Sequence, residues 1–175
     1  DDLQVTCQPV VLQAVVGHDD VDLRVRRTQR AGGGHAIAAH HHGHAGAQPD
    51  QQGLIATVAG IAVAADGGIW YVDYAAAHIG RFDPKTRQVN EWLPPTGEKA
   101  RPYAMAIDDR GRIWFADTGA QPNRLMAFDP KLEQFVVNTE LTNARGAVRH
   151  MVFHKPSRAL WFGTDTNYLV RVNVP

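Results

Sequence analysis

The chain has 175 residues, 44% hydrophobic and 21% charged, with 18 basic and 18 acidic side chains and a formal net charge of zero. That balance offers no electrostatic attraction to nucleic acid or an anionic membrane, and the longest apolar runs fall far short of the ~18 residues a spanning helix needs. Its one cysteine, Cys7, has no partner for an internal disulfide. The chain starts at Asp1 without an apolar leader, which reads as a processed form or a piece of a longer protein.

Residues 1–52 differ in texture from the rest. All 14 aromatic residues lie at or after Trp70. An apolar, β-leaning stretch runs from Val5 to Val16, and a low-complexity Gly/Ala/His tract runs from Gly32 to Gln52. Six of the nine histidines fall in residues 1–52, four of them as His40-His41-His42 and His44. Imidazoles at that spacing suit a transition metal, and the same composition suits a flexible linker or a non-native extension. The region is expected to be irregular, with Val10 to Val16 the candidate for a strand that closes a distant sheet.

From Gly53 onward one unit occurs three times. Its centre is Ile69-Trp70-Tyr71-Val72-Asp73, then Ile113-Trp114-Phe115-Ala116-Asp117, then Leu160-Trp161-Phe162-Gly163-Thr164. The tryptophans stand 44 and 47 residues apart, the period of β-propeller blades. Upstream of each is an alternating apolar strand opening near Ile61, Met105 or Met151, followed by a turn: Asp66-Gly67-Gly68, Asp109-Arg110-Gly111 or Lys155-Pro156-Ser157. Downstream comes a third strand, ending on Asp83-Pro84 or Asp129-Pro130 in the first two copies. Proline presets the turn there and the carboxylate accepts backbone N–H groups. A fourth strand, around Val89–Leu93 and Gln134–Asn138, follows in the first two copies and is missing from the third.

The reading is therefore all-β: a β-propeller fragment of about three four-stranded antiparallel blades, near 54–98, 99–145 and 146–175, behind the irregular N-terminal region. Each sheet has two apolar faces, so the tryptophans are expected in the core between blades. Burying one stabilises by about 2–3 kcal/mol. Open sheet edges invite self-association.

The repeats resemble the virginiamycin B lyase-like family, the streptogramin lyases, in Ile69-Trp70-Tyr71, Ile79-Gly80-Arg81-Phe82-Asp83-Pro84, Arg101-Pro102-Tyr103-Ala104-Met105 and Leu160-Trp161-Phe162-Gly163-Thr164-Asp165. The resemblance covers residues 54–175. It implies a seven-bladed ring, about 300 residues at this period, of which this chain holds the C-terminal blades. It also implies export from a bacterium to the periplasm or beyond, a role in antibiotic resistance, and Mg²⁺-assisted elimination that opens a cyclic ester or lactone.

At the family's channel histidine this chain has Ala59, Tyr103 and Arg149, with His150 one place along; at its glutamate it has Asp73, Asp117 and Thr164, with Asp165 adjacent. On the catalytic reading His150 is the base, Tyr103 lines the channel mouth, Arg149 holds a substrate oxygen, and Asp117 and Asp165 bind Mg²⁺. On the structural reading the aspartates bond loop N–H groups, Arg149 pairs with one of them and His150 makes an inter-blade contact. Two further functions stay open: a non-catalytic NHL-like propeller that binds a protein or ligand, and a gluconolactonase-like hydrolase using Asn123, Asn143 or Asn167.

Overall fold

The computed structural model describes residues 5–9, 26–27, 54–55, 58–142 and 146–175. In chain order the strands are β1 (Val5–Pro9), β2 (Arg26–Arg27), β3 (Leu54–Ile55), β4 (Val58–Val63), β5 (Ile69–Asp73), β6 (His78–Phe82), β7 (Val89–Trp92), β8 (Pro102–Ile107), β9 (Ile113–Asp117), β10 (Arg124–Asp129), β11 (Gln134–Glu140), β12 (Val148–His154), β13 (Ala159–Thr164) and β14 (Tyr168–Asn173). They form three four-stranded antiparallel sheets: β4-β5-β6-β7, β8-β9-β10-β11 and β12-β13-β14-β1; β2 and β3 pair separately. The only helical segments among the described residues are single 3₁₀ turns at Gly97–Lys99 and Lys155–Ser157, so no described helix is long and apolar enough to cross a membrane. The His-rich tract and the Val10 to Val16 candidate lie outside the described residues.

One expectation is corrected. The third blade does not lack its outer strand: β1 supplies it, running antiparallel to β14 with Val5 opposite Val172 and Pro9 opposite Tyr168. A free strand edge carries unpaired N–H and C=O groups along its length, and an extended segment from anywhere in the chain can satisfy them. The closing strand thus comes from the N-terminal region, ahead of the stretch expected to provide it.

The turns follow their residues. Gly67 and Gly111 take φ of +84° and +82°, and Asp66 Oδ1 accepts the Gly68 N–H at 2.9 Å. Asp83 Oδ1 and Asp129 Oδ1 accept the N–H groups of Lys85 and Lys131 at 2.8 and 2.9 Å. The backbone bond to Lys85 is the largest of the causes that hold the Asp83 carboxyl below its usual range.

Alternation along each strand sends residues to opposite faces. In β9, Ile113 and Phe115 join the first blade's Trp70, Val72 and Ile79, while Trp114 and Ala116 join the third blade's Leu160, Phe162, Val170 and Val172. Between the first and second blades the core is aromatic: Trp70 stacks on Trp92 at 5.3 Å, and Phe128 lies 4.8 Å from Trp92. Trp70 and Trp114 are buried, as their place in the repeat implies. Trp161 is only half-buried, because its strand neighbours Leu160 and Phe162 face the second blade and it faces the other way.

Trp114 is more than apolar filling. Its indole N–H donates to Asp108 Oδ2 at 2.8 Å, the same oxygen that pairs with Arg112 Nε at 2.7 Å. Asp108 Oδ1 accepts the backbone N–H groups of Arg110 and Arg112. Burial alone pushes this carboxyl up; the bonds from Trp114 and Arg112 together outweigh it and leave the group below its usual range.

Candidate functional site

The first strands β4, β8 and β12 lie side by side, β8 touching both of the others, so their upper ends form one mouth. Gly60 on β4 permits this approach: a Cβ there would stand 2.8 Å from the Tyr103 carbonyl oxygen. All three strands carry a one-residue register shift at the same place, between Val58 and Gly60, Pro102 and Met105, and Val148 and Met151. Such bulges turn side chains out of the normal alternation. Ala59, Tyr103 and Arg149 occupy them.

Arg149 is exposed and Tyr103 half-buried, and the two meet across the blade boundary: Arg149 Nη1 donates to Tyr103 Oη at 3.4 Å, with the guanidinium carbon 5.8 Å from the ring centre. Tyr103 meets Tyr74 edge to face at 5.7 Å and 87°, and Arg101 stands 5.9 Å from the Tyr74 ring. The Arg101 guanidinium is held by the carbonyls of Glu98 and Ala100. Tyr74 also lines a half-open cavity of about 660 Å³, together with Thr118, Asn123, Leu141, Thr142 and Ala147. Asn123 fixes its wall by donating to the Gly146 carbonyl at 2.6 Å.

The carboxylates are placed differently. Asp117 is fully buried; its Oδ2 accepts the Thr96 hydroxyl at 2.6 Å, and its Oδ1 accepts the N–H groups of Arg101 at 2.7 Å and Gly119 at 2.9 Å. Asp73, at the matching strand end, accepts the Ala76 N–H at 2.9 Å. Asp165 is exposed and accepts the Ala147 N–H at 2.8 Å. Asp117 and Asp165 share no hydrogen-bond partner. Among the described residues no three His, Cys, Asp or Glu gather where a metal could sit. Mg²⁺ demands near-octahedral oxygen donors; Asp117, sealed and engaged through both oxygens, does not fit that role.

The sequence-level candidates therefore separate. Tyr103 and Arg149 come together, with tyrosine and not aspartate as the arginine's partner. His150, next to Arg149 on β12, is exposed. His154, on the turn, bonds Ser157 Oγ at 2.7 Å. Asn123 is a wall residue, Asn167 an exposed turn residue at φ +67°, and Asn143 lies outside the described residues. Tyr74 and Arg101 were missed. The available signal was position, since Tyr74 follows the strand-end Asp73 and Arg101 precedes the inner strand β8, so both border the mouth.

No family model matches the chain, and no curated protein matches it either. Solved structures do. A streptogramin B lyase aligns with a TM-score of 0.59 at 22% identity, over 71% of this chain and 42% of that one. A catalytically inactive virginiamycin B lyase from Staphylococcus aureus, with quinupristin, aligns at 0.56 and 19%, over 66% and 37%. The Swd1 β-propeller domain of Myceliophteria thermophila aligns at 0.53 and 12%, over 73% and 40%. The chain spans less than half the length of these structures, and at such identities the likeness shows the fold, a β-propeller.

Proposed function

We propose that this chain serves ligand recognition within a β-propeller, working through the Tyr103–Arg149 mouth and without elimination chemistry. The observation that carries this reading is the division at the mouth. Its carboxylates are engaged with backbone N–H and hydroxyl donors, while the bulges present an exposed guanidinium and a tyrosine hydroxyl. Recognition needs only fixed donors beside a cavity. Elimination needs a base and a stabiliser for the developing charge aimed at one substrate.

A second reading is favoured by the streptogramin B lyase likeness. It has His150 as the base that opens a cyclic ester, with Mg²⁺ assistance as the sequence resemblance implied. One experiment separates the two. The chain is incubated with a streptogramin B depsipeptide and Mg²⁺, and chromatography follows the linear isomer that elimination yields. The recognition reading expects none above the uncatalysed rate. Mg²⁺-dependent turnover that disappears in His150→Gln would overturn it.

A further inference from the structure

We infer that the mouth is a carboxylate-recognition site, Arg149 anchoring the charged group and the adjoining cavity taking the apolar or aromatic body of a small organic monoanion. This rests on the recognition reading and names its ligand class.

Four side chains stand in a row, two rings flanked by two guanidinium groups: Arg149, Tyr103, Tyr74 and Arg101, each within 6 Å of the next. Four other arginines of these blades are neutralised by carboxylates. Arg81 pairs with Asp66 at 3.0 Å, Arg112 with Asp108 at 2.7 Å, Arg124 with Glu140 at 2.9 Å and Arg158 with Asp109 at 3.5 Å. Among the described residues neither Arg149 nor Arg101 has a carboxylate within ion-pair distance. The nearby carboxylates of Asp117 and Asp165 point at backbone N–H groups instead. Two cations thus stand at one rim without a carboxylate partner among the described residues.

The two arginines differ in what they can still do. Arg101 spends Nη1 on two carbonyls and serves as a fixed positive charge behind Tyr74. Arg149 makes one long hydrogen bond, to Tyr103, and keeps most of its five donors. A planar fork of that kind matches a carboxylate through two parallel N–H bonds. Tyr103 Oη can add a third donor once Arg149 turns to the ligand. The single free fork suits a monovalent carboxylate; phosphate sites gather several cations or a nest of backbone N–H groups. The cavity beyond Tyr74, with Leu141 and Ala147 in its wall and Asn123 and Thr118 as polar points, has the volume of a drug-sized ligand site. The backbone under Tyr103 and Arg149 is held by the β8–β9 and β12–β13 pairings, so the ordering on binding falls on the side chains, above all on the exposed Arg149.

The test uses the full chain and two probes that differ only in charge, N-acetylphenylalanine and N-acetylphenylalaninamide, with inorganic phosphate as a third. Binding is followed by calorimetry and by NMR of the tyrosine ring protons. The acid is expected to bind about tenfold tighter than the amide, and Arg149→Gln to abolish that preference. Arg149→Lys restores only part of it, since an ammonium lacks the fork. Circular dichroism of each variant confirms the fold. Equal binding of acid and amide overturns the ligand class while leaving a recognition site standing, and phosphate binding tighter than the acid overturns it too. If no probe shifts Tyr74 or Tyr103, the recognition reading itself falls.

Discussion

The strand-end aspartates and the bulge residues lie within a few ångströms of backbone of one another, yet they behave as opposite classes of position. The strand end repeats, with Asp73 and Asp117 in two blades and Thr164 in the third, and its side chains turn inward to backbone donors. The bulge does not repeat: it holds Ala59, packed on the core, then the half-buried Tyr103, then the exposed Arg149. Within one chain of internal repeats, the position that recurs builds the scaffold and the position that varies writes the surface. A carboxylate that looks like a ligand in the sequence is here a clamp joining three segments, Thr96, Arg101 and Gly119.

Substitutions sharpen this contrast. The largest effect is expected at Trp114, sealed between two blades and bonded to Asp108: Trp114→Ala costs about 3–5 kcal/mol in urea unfolding. Trp161→Ala, the same place in the repeat but half-exposed, costs less than half as much; equal losses would show that burial does not set the role. Next comes Asp117→Ala, which strands two backbone N–H groups and a hydroxyl and is expected to cost about 2–4 kcal/mol. Acid provides a third check. The folded-state pKa of Asp108 is depressed, so its contribution is present above the unfolded carboxylate value and fades as pH falls below ~4 towards the folded value. Asp108→Asn should flatten the acid limb of a melting-temperature profile, and an unchanged limb would assign that limb to other groups. Smallest is Arg149→Gln, expected to shift stability by under ~0.5 kcal/mol, as at an ordinary surface position.

Much of the scaffold was legible because it repeats. The period of the tryptophans placed eleven strands near their observed positions, and Asp-Gly and Asp-Pro marked the turns through local chemistry that the backbone obeys. What stayed hidden was non-local or signatureless. β1, with Val5 to Pro9, carries no trace of the repeat, and its partner β14 is more than 150 residues away; nothing in either segment announces the pairing. The bulges recur in space, but Val58-Ala59-Gly60, Pro102-Tyr103-Ala104 and Val148-Arg149-His150 share no residue pattern, because a bulge is a backbone event. The one site contact that could be read in advance is Tyr103 with Arg149. They stand 46 residues apart, one repeat period, and positions one period apart face each other on neighbouring inner strands. Tyr74 and Arg101 join them from loops that have no register to read.

The most direct test of this division is the urea unfolding of Asp117→Ala and Arg149→Gln side by side in the full chain. The expected loss is about 2–4 kcal/mol for the first and almost none for the second. Equal losses, or a larger one at Arg149, would contradict it: the rim would then be part of the scaffold, and Asp117 would be free for another role.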